Sequence, residues 1–216
     1  MGEARVLVLA TRNRDKVSEM QRLFADLPLS DLRCALDFPD LGEVEETGTT
    51  LEENALLKAR AVASATGLMS VADDTGLFVD MLEGAPGIYA ARYAGEGCTY
   101  ADNREKLLRE LASNPSPRRA RFKTAMALVD PRGESGAAEH VVEGVLEGEI
   151  LDEMRGEEGF GYDPVFYLPT EGRTLAEMSI EEKNKISHRA QAAAAMHEYL
   201  KEYLANPSQR GARGSA

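Results

Sequence analysis

Apolar residues recur along this chain in two rhythms, and the switches between them mark its elements. Residues 5–10 form a continuous Val- and Leu-rich run, the pattern of a buried strand. Val17, Met20, Leu23 and Phe24 then recur at helical spacing, which predicts a helix starting near Asn13, with Asn13 or Asp15 as its N-cap. Residues 31–38 read as a second strand. Thr50 with Glu53 is a capping-box pattern; it opens a long helix to about residue 65, which Gly67 ends. Two short apolar runs, 68–72 and 77–79, flank Asp73-Asp74-Thr75-Gly76, predicting strand, tight turn, strand.

In the second half, Gly84-Ala85-Pro86-Gly87 reads as a loop and residues 102–111 as a helix. Asn114-Pro115-Ser116-Pro117 is the clearest breaker. Residues 119–130 and 137–148 are extended runs joined by Pro131-Arg132-Gly133-Glu134, a long hairpin. Residues 159–164 introduce a strand to residue 168, and one helix is expected over 180–204. Residues 206–216 are polar and rich in Gly, Ser and Arg, the composition of a disordered tail. With no internal repeat and no linker, residues 1–205 read as a single domain of the α/β class, with two lobes across one sheet.

The chain has 216 residues, 43% of them hydrophobic, enough for a full core without disulfides. Cys34 and Cys98 lack metal-ligand spacing and suggest a reducing compartment; His140, His188 and His197 show no zinc pattern. A net charge of −12 argues against nucleic acid as a partner. It also means that an anionic substrate must be met by a local basic cluster or a metal. No apolar run approaches a membrane span, and the first residues match neither a myristoylation site nor a signal peptide, so a cytoplasmic location is expected.

Candidate chemistry starts with Asp73 and Asp74. Adjacent carboxylates repel each other, and a cation that joins them removes that cost; Asp is also a common turn former. Thr11, Arg12, Asn13, Arg14, Asp15 and Lys16 lie between a strand and a helix N-terminus, where backbone N–H groups and Lys16 suit phosphate, although the spacing is not that of a Walker loop. Glu45-Glu46-Thr47-Gly48 precedes the long helix and reads either as a solvated acidic loop or as a source of a metal ligand facing Asp74. Gly159-Phe160-Gly161-Tyr162-Asp163-Pro164 is either a turn with buried aromatics or a pocket offering an aromatic face to a base. Lys183, Lys185, His188 and Arg189 form a basic run ahead of the small residues Ala192 to Ala195.

Together these segments resemble the inosine triphosphate pyrophosphatase family over residues 6–199. The resemblance is carried by Glu45-Glu46-Thr47-Gly48 with Glu53-Asn54-Ala55 and Lys58-Ala59-Arg60, by Ala72 to Leu77, by Gly84 to Tyr89 with Ala91-Arg92-Tyr93, by Gly159 to Pro164, and by Ser187-His188-Arg189. It implies a two-lobed α/β fold around a long twisted mixed sheet flanked by helices, with the active site in the cleft, and a homodimer. It implies a Mg²⁺-dependent hydrolysis of non-standard purine nucleoside triphosphates (ITP, dITP, XTP) to the monophosphate and pyrophosphate. By the same resemblance Asp74 is the catalytic residue and a metal ligand with Glu45. Residues 11–16, Thr75, Phe160, Gly161, Tyr162, Asp163, Lys183, His188 and Arg189 contact substrate. Arg12 and Asp15 depart from the family, which commonly has Gly at these places, and a side chain there changes the phosphate approach. Asp74-Thr75-Gly76 also matches the aspartic-protease tripeptide, but a single-chain protease needs two copies and this chain has one.

Overall fold

In the computed structural model, residues 5–132 and 138–205 are described. The first apolar run is strand β1 (Val6–Leu9), and helix α1 (Arg14–Leu23) follows it. Of the two N-cap candidates the chain uses Asn13, whose side-chain oxygen accepts from the backbone N–H groups of Asp15 and Lys16. Strand β2 (Asp31–Cys34) is shorter than the pattern suggests, because residues 35–37 close into a single tight helical turn held by the Asp37 carboxylate on the Cys34 N–H at 2.8 Å. Helix α2 (Leu51–Thr66) starts after Thr50, whose hydroxyl accepts from the Glu53 N–H, and stops at Gly67 with φ 67°.

The predicted turn at Asp73-Asp74-Thr75-Gly76 does not form. Strand β3 (Met69–Val79) runs straight through it for 11 residues. Both aspartates are buried and each meets a lysine, so the repulsion that a solvated turn would have relieved is cancelled within the fold. Gly76 serves a different need. A Cβ there would lie 2.8 Å from the Gly87 carbonyl oxygen, so its absence lets strand β4 (Pro86–Gly87) pair closely with β3.

Helix α3 (Tyr100–Leu111) begins two residues earlier than the pattern suggests, because Thr99 and Asp102 form a reciprocal capping box. Strands β5 (Arg119–Asp130) and β6 (Ala138–Ile150) are neighbours, as the hairpin reading expects. Strands β7 (Phe166–Leu168) and β8 (Arg173–Thr174) complete the sheet. The single C-terminal helix of the sequence reading is two helices, α4 (Ile180–Ile186) and α5 (His188–Ala205). Between them Ser187 is extended, with φ −64° and ψ 156°, and its hydroxyl accepts from the Ala190 N–H at 3.1 Å. A residue that caps a new helix cannot also continue the old one. The break places His188 and Arg189 at the start of α5. The expected tail, residues 206–216, and part of the β5–β6 turn, residues 133–137, lie outside the described residues.

The eight strands form one mixed sheet in the order β2-β1-β3-β5-β6-β7-β8, with β4 on β3. β1 is parallel to β2 and β3, while β7 is antiparallel to β6 and β8. The α/β class is therefore as the sequence indicates. The chain divides into two compact units, residues 1–74, 125–143 and 192–216, and residues 75–124 and 144–191. The first unit's core gathers Leu7, Leu9, Met20, Phe24, Met126 and Met196; the second's gathers Leu77, Leu107, Leu111, Phe122 and Phe166. Among the described residues no helix is long and apolar enough to cross a membrane.

The end of α5 is fixed in the first unit by a buried polar contact. The Tyr203 hydroxyl donates to the Asp130 carboxylate at 3.1 Å, and the same carboxylate accepts from the Arg132 backbone N–H at 3.0 Å. Tyr203→Phe removes one donor from a buried anion and is expected to cost about 1.5–3 kcal/mol. Thermal melting should show a fall of about 2–4 °C per kcal/mol; an unchanged Tm would show that this bond contributes nothing.

Candidate active site

In the first unit, two carboxylates are held between two lysines. Consecutive side chains on a strand point to opposite faces. Asp73 therefore meets Lys16 from the first turn of α1, with Nζ 3.0 Å from Oδ2, and Asp74 meets Lys58 from α2, with Nζ 2.6 Å from Oδ1. Lys58 Nζ also reaches Glu46 Oε1 at 2.8 Å. Asn54 lies one turn before Lys58 on the same face of α2 and donates from Nδ2 to Asp74 Oδ2 at 3.4 Å. The Asn54 carbonyl in turn accepts from the Gly48 N–H at 2.8 Å, tying the acidic loop to the helix.

The electrostatics follow from burial. Asp73 is 2% exposed and Asp74 6%. Burial raises the Asp74 carboxyl above its ordinary value, against the opposing pull of Lys58, and the charge of Glu46 pushes the same way as burial. Burial works against the Lys58 ammonium, yet the charges of Asp74, Glu46 and Asp73 outweigh it and hold its pKa above the ordinary value. Three carboxylates against two ammonium groups leave the cluster with one formal negative charge. This arrangement can polarise a water at Asp74 and meet phosphate oxygens with two lysines.

The rest of the first loop is placed around α1. The Thr11 hydroxyl accepts from the Asn13 N–H at 3.2 Å, Arg12 donates to the Leu41 carbonyl, and Arg14 and Asp15 are exposed. Glu45, expected to face Asp74, is exposed, and it is Glu46 that shares Lys58 with Asp74. Among the described residues no group of three or more His, Cys, Asp and Glu is gathered as a metal cage. The donor chemistry nevertheless fits a hard cation, since Lys58 already holds oxygens of Asp74 and Glu46 on a single positive charge.

In the second unit the turn of residues 159–163 is organised by one carboxylate. Asp163 Oδ2 accepts from the Phe160 N–H at 3.2 Å and from Lys183 Nζ at 2.9 Å. Gly159, with φ 79°, is required here: a Cβ would lie 2.1 Å from that oxygen and 2.6 Å from Lys183 Nζ. Lys183 Nζ and the Arg189 guanidinium stand 5.8 and 5.5 Å from the centre of the Phe160 ring. Arg189 also donates to the Thr75 hydroxyl at 3.4 Å, which pairs with the Thr124 hydroxyl at 2.8 Å. The His188 ring stacks on Phe122 with centroids 4.5 Å apart. Tyr162 donates its hydroxyl to the Ala90 carbonyl at 2.9 Å, and burial raises its pKa. Gly161, also with positive φ, lends its carbonyl to Arg104.

The sequence candidates thus fall into two groups. Lys16 and Asp74 join the carboxylate cluster of the first unit; Thr75, Phe160, Asp163, Lys183 and Arg189 join the aromatic cluster of the second. Asn54, Lys58, Phe122 and Thr124 were not expected as site residues, and Glu46 was expected only as part of the acidic loop. Two signals for the helix pair were available: the four-residue spacing of Asn54 and Lys58 behind a capped start, and the presence of both in the segments that carry the family resemblance.

Comparison with known proteins places the chain in a family. A family model described as the Ham1 family matches residues 7–199. A protein of Thermoanaerobacter sp. (strain X514) named dITP/XTP pyrophosphatase is 48% identical over 198 residues, covering 90% of this chain and 96% of the relative. The structure of a HAM1 protein from Coxiella burnetii superposes with a TM-score of 0.81 at 43% identity, covering 92% of this chain and 99% of that one. The crystal structure of a nucleoside-triphosphatase, dITP/XTP pyrophosphatase, from Mycobacterium abscessus gives 0.70 at 42% identity, covering 88% and 98%. A match that spans both clusters, at such identity and over nearly the whole length, shows that this chain belongs to the Ham1 family.

Proposed function

We propose that this protein hydrolyses non-standard purine nucleoside triphosphates, ITP, dITP and XTP, to the monophosphate and pyrophosphate. The observation that carries the reading is Asp74: a buried carboxylate with its pKa raised, fixed by Lys58 and Asn54 and flanked by a second aspartate with its own lysine. A carboxylate so held can orient a water and accept its proton. The water oxygen attacks the α-phosphorus, an O–P bond forms, and the bond from the α-phosphorus to the bridging oxygen breaks to release pyrophosphate. Lys16 and Lys58 offset the charge that develops on the phosphate oxygens. The relatives named dITP/XTP pyrophosphatase support this substrate class.

Asp74, with Glu45 or Glu46 from the acidic loop, would hold Mg²⁺. The ion would supply positive charge to the phosphates beyond what the lysines give. The base is assigned to the aromatic cluster: the Phe160 ring stacks on it, and Arg189 or His188 donates to the 6-carbonyl of a hypoxanthine or xanthine. Adenine carries an amino donor at that position, which would leave a buried donor unmatched. The same reading carries a cytoplasmic homodimer with no nucleic-acid partner.

The first test is pyrophosphate release from a panel of triphosphates with and without Mg²⁺. ITP, dITP and XTP should be used far better than ATP. Orthophosphate as the first product would overturn the site of attack. Asp74→Asn should lower kcat by roughly 10²–10⁴-fold, because the amide cannot accept the proton; near-wild-type turnover would pass the role to Asp73.

A second test separates charge from base. Lys16→Ala should lower kcat/KM by a similar factor for ITP and ATP, since a phosphate contact carries no base information. Arg189→Ala should instead narrow the ITP-to-ATP preference by roughly ten- to a hundred-fold, the worth of one charge-assisted hydrogen bond. A uniform loss in Arg189→Ala would move that residue to the phosphates.

A further inference from the structure

The turn that carries Phe160 is gripped by helix α3, which neither the sequence motifs nor the family resemblance involves in the site. Two α3 residues one helical turn apart reach it. The Tyr100 ring lies 5.9 Å from the Phe160 ring, tilted by 36°. The next turn brings Arg104, whose Nη1 donates to the Gly161 carbonyl at 2.7 Å. Arg104 Nε is buried without a hydrogen-bond partner, so the side chain leaves one donor unsatisfied in holding that carbonyl. A long, charged side chain kept under that cost is not an ordinary solvated arginine.

Gly161 itself has φ 61° and no side chain to wedge the turn in place. Its backbone carbonyl is the handle that remains. From the other direction Asp163 holds the Phe160 N–H and Lys183. The two flanks differ in kind. Asp163 fixes the start of the turn, its carboxylate accepting from the Phe160 N–H and its own N–H donating to the Phe160 carbonyl, and Arg104 fixes the middle from a separate helix through the Gly161 carbonyl. Arg104 holds the next peptide, Gly161–Tyr162, and with the Tyr100 ring against Phe160 it limits how far the turn can tilt that ring beneath Lys183 and Arg189.

We propose that Arg104 is a positioning residue for base selection: through the Gly161 carbonyl it sets the plane of the Phe160 ring and hence the distance between a stacked base and the donors that read its 6-position. The proposal rests on the functional reading above and deepens it. Arg104 touches neither the base nor the phosphates, so its loss should fall on discrimination rather than on the chemical step.

The test compares Arg104→Leu, which keeps the apolar stem and removes the donor, with the wild-type protein. Steady-state kinetics with ITP and ATP should show KM for ITP raised roughly ten-fold, the ITP-to-ATP ratio of kcat/KM narrowed by a similar factor, and kcat for ITP changed by less than about three-fold. Arg104→Lys, which retains a charged donor, should recover part of the ratio. A ratio that is unchanged in Arg104→Leu, or a fall confined to kcat, would overturn the proposal. If Arg104→Leu does not fold, as judged by thermal melting, Arg104→Gln is read by the same ratio, and an unchanged value again overturns the proposal. Inosine monophosphate binding by calorimetry separates the two levels. A wild-type protein that binds this nucleotide but releases no pyrophosphate from ITP overturns the functional reading. The Arg104 proposal is then judged by a roughly ten-fold weaker binding in the variant, and equal binding overturns it; a wild-type protein that does neither overturns both.

Discussion

The constraint on which the first unit depends is the burial of two neighbouring carboxylates in its strand β3. Isolated, such groups would be protonated or would unfold the strand, because removing an unpaired charge from water is prohibitive. Each is therefore matched by a lysine from a different helix. This fixes the direction of α1 and α2 relative to β3 more tightly than apolar packing alone, since an ion pair at 2.6 Å tolerates little drift. Breaking one half of a buried pair typically costs about 3–5 kcal/mol, so the residues proposed for the chemistry also hold the unit together. The capped starts of both helices serve the same end: Asn13 and Thr50 set where each helix begins, and hence where Lys16 and Lys58 fall on it.

The second unit solves a related problem with different means. Lys183 and Arg189 are buried, which is unusual for cations, and His188 is buried as well. Aromatic faces share in accommodating them: Phe160 beneath Lys183 and Arg189, and Phe122 against His188. Asp163 supplies a carboxylate 2.9 Å from Lys183 Nζ. The break at Ser187 makes this possible. A continuous helix would carry residues 183, 188 and 189 around its axis by helical periodicity, whereas ending α4 and capping a new helix lets His188 and Arg189 be aimed separately from Lys183.

Much of this was legible in the residues themselves. Apolar rhythm located β1, α1, α2 and the β5–β6 pair, and the cap residues at Asn13 and Thr50 placed two helix starts. Two failures have physical causes. Asp73-Asp74-Thr75-Gly76 looks like a turn because Asp and Gly favour turns locally; it becomes strand only because lysines distant in sequence neutralise it, and propensity cannot see them. The run from Ile180 to Ala205 looks like one helix because its composition is helical throughout, and the single extended Ser187 leaves little trace in a periodicity. The site was legible as a set of polar segments, whereas its pairings were not. That Glu46 meets Lys58 depends on which side of an irregular loop faces the helix, and no spacing rule governs a loop.

The alternation of β3 has a consequence for how this protein can change. Because Asp73 and Asp74 address different helices, the strand works as a two-sided ruler on which every residue has an assigned face. Inserting or deleting one residue between Met69 and Asp73 would turn each later side chain over, presenting Lys16 and Lys58 with the wrong partners and setting Gly76 out of step with Gly87. Length variation in descendants of this chain should therefore collect in the connecting segments, while β3 keeps its count of residues even where its apolar side chains drift.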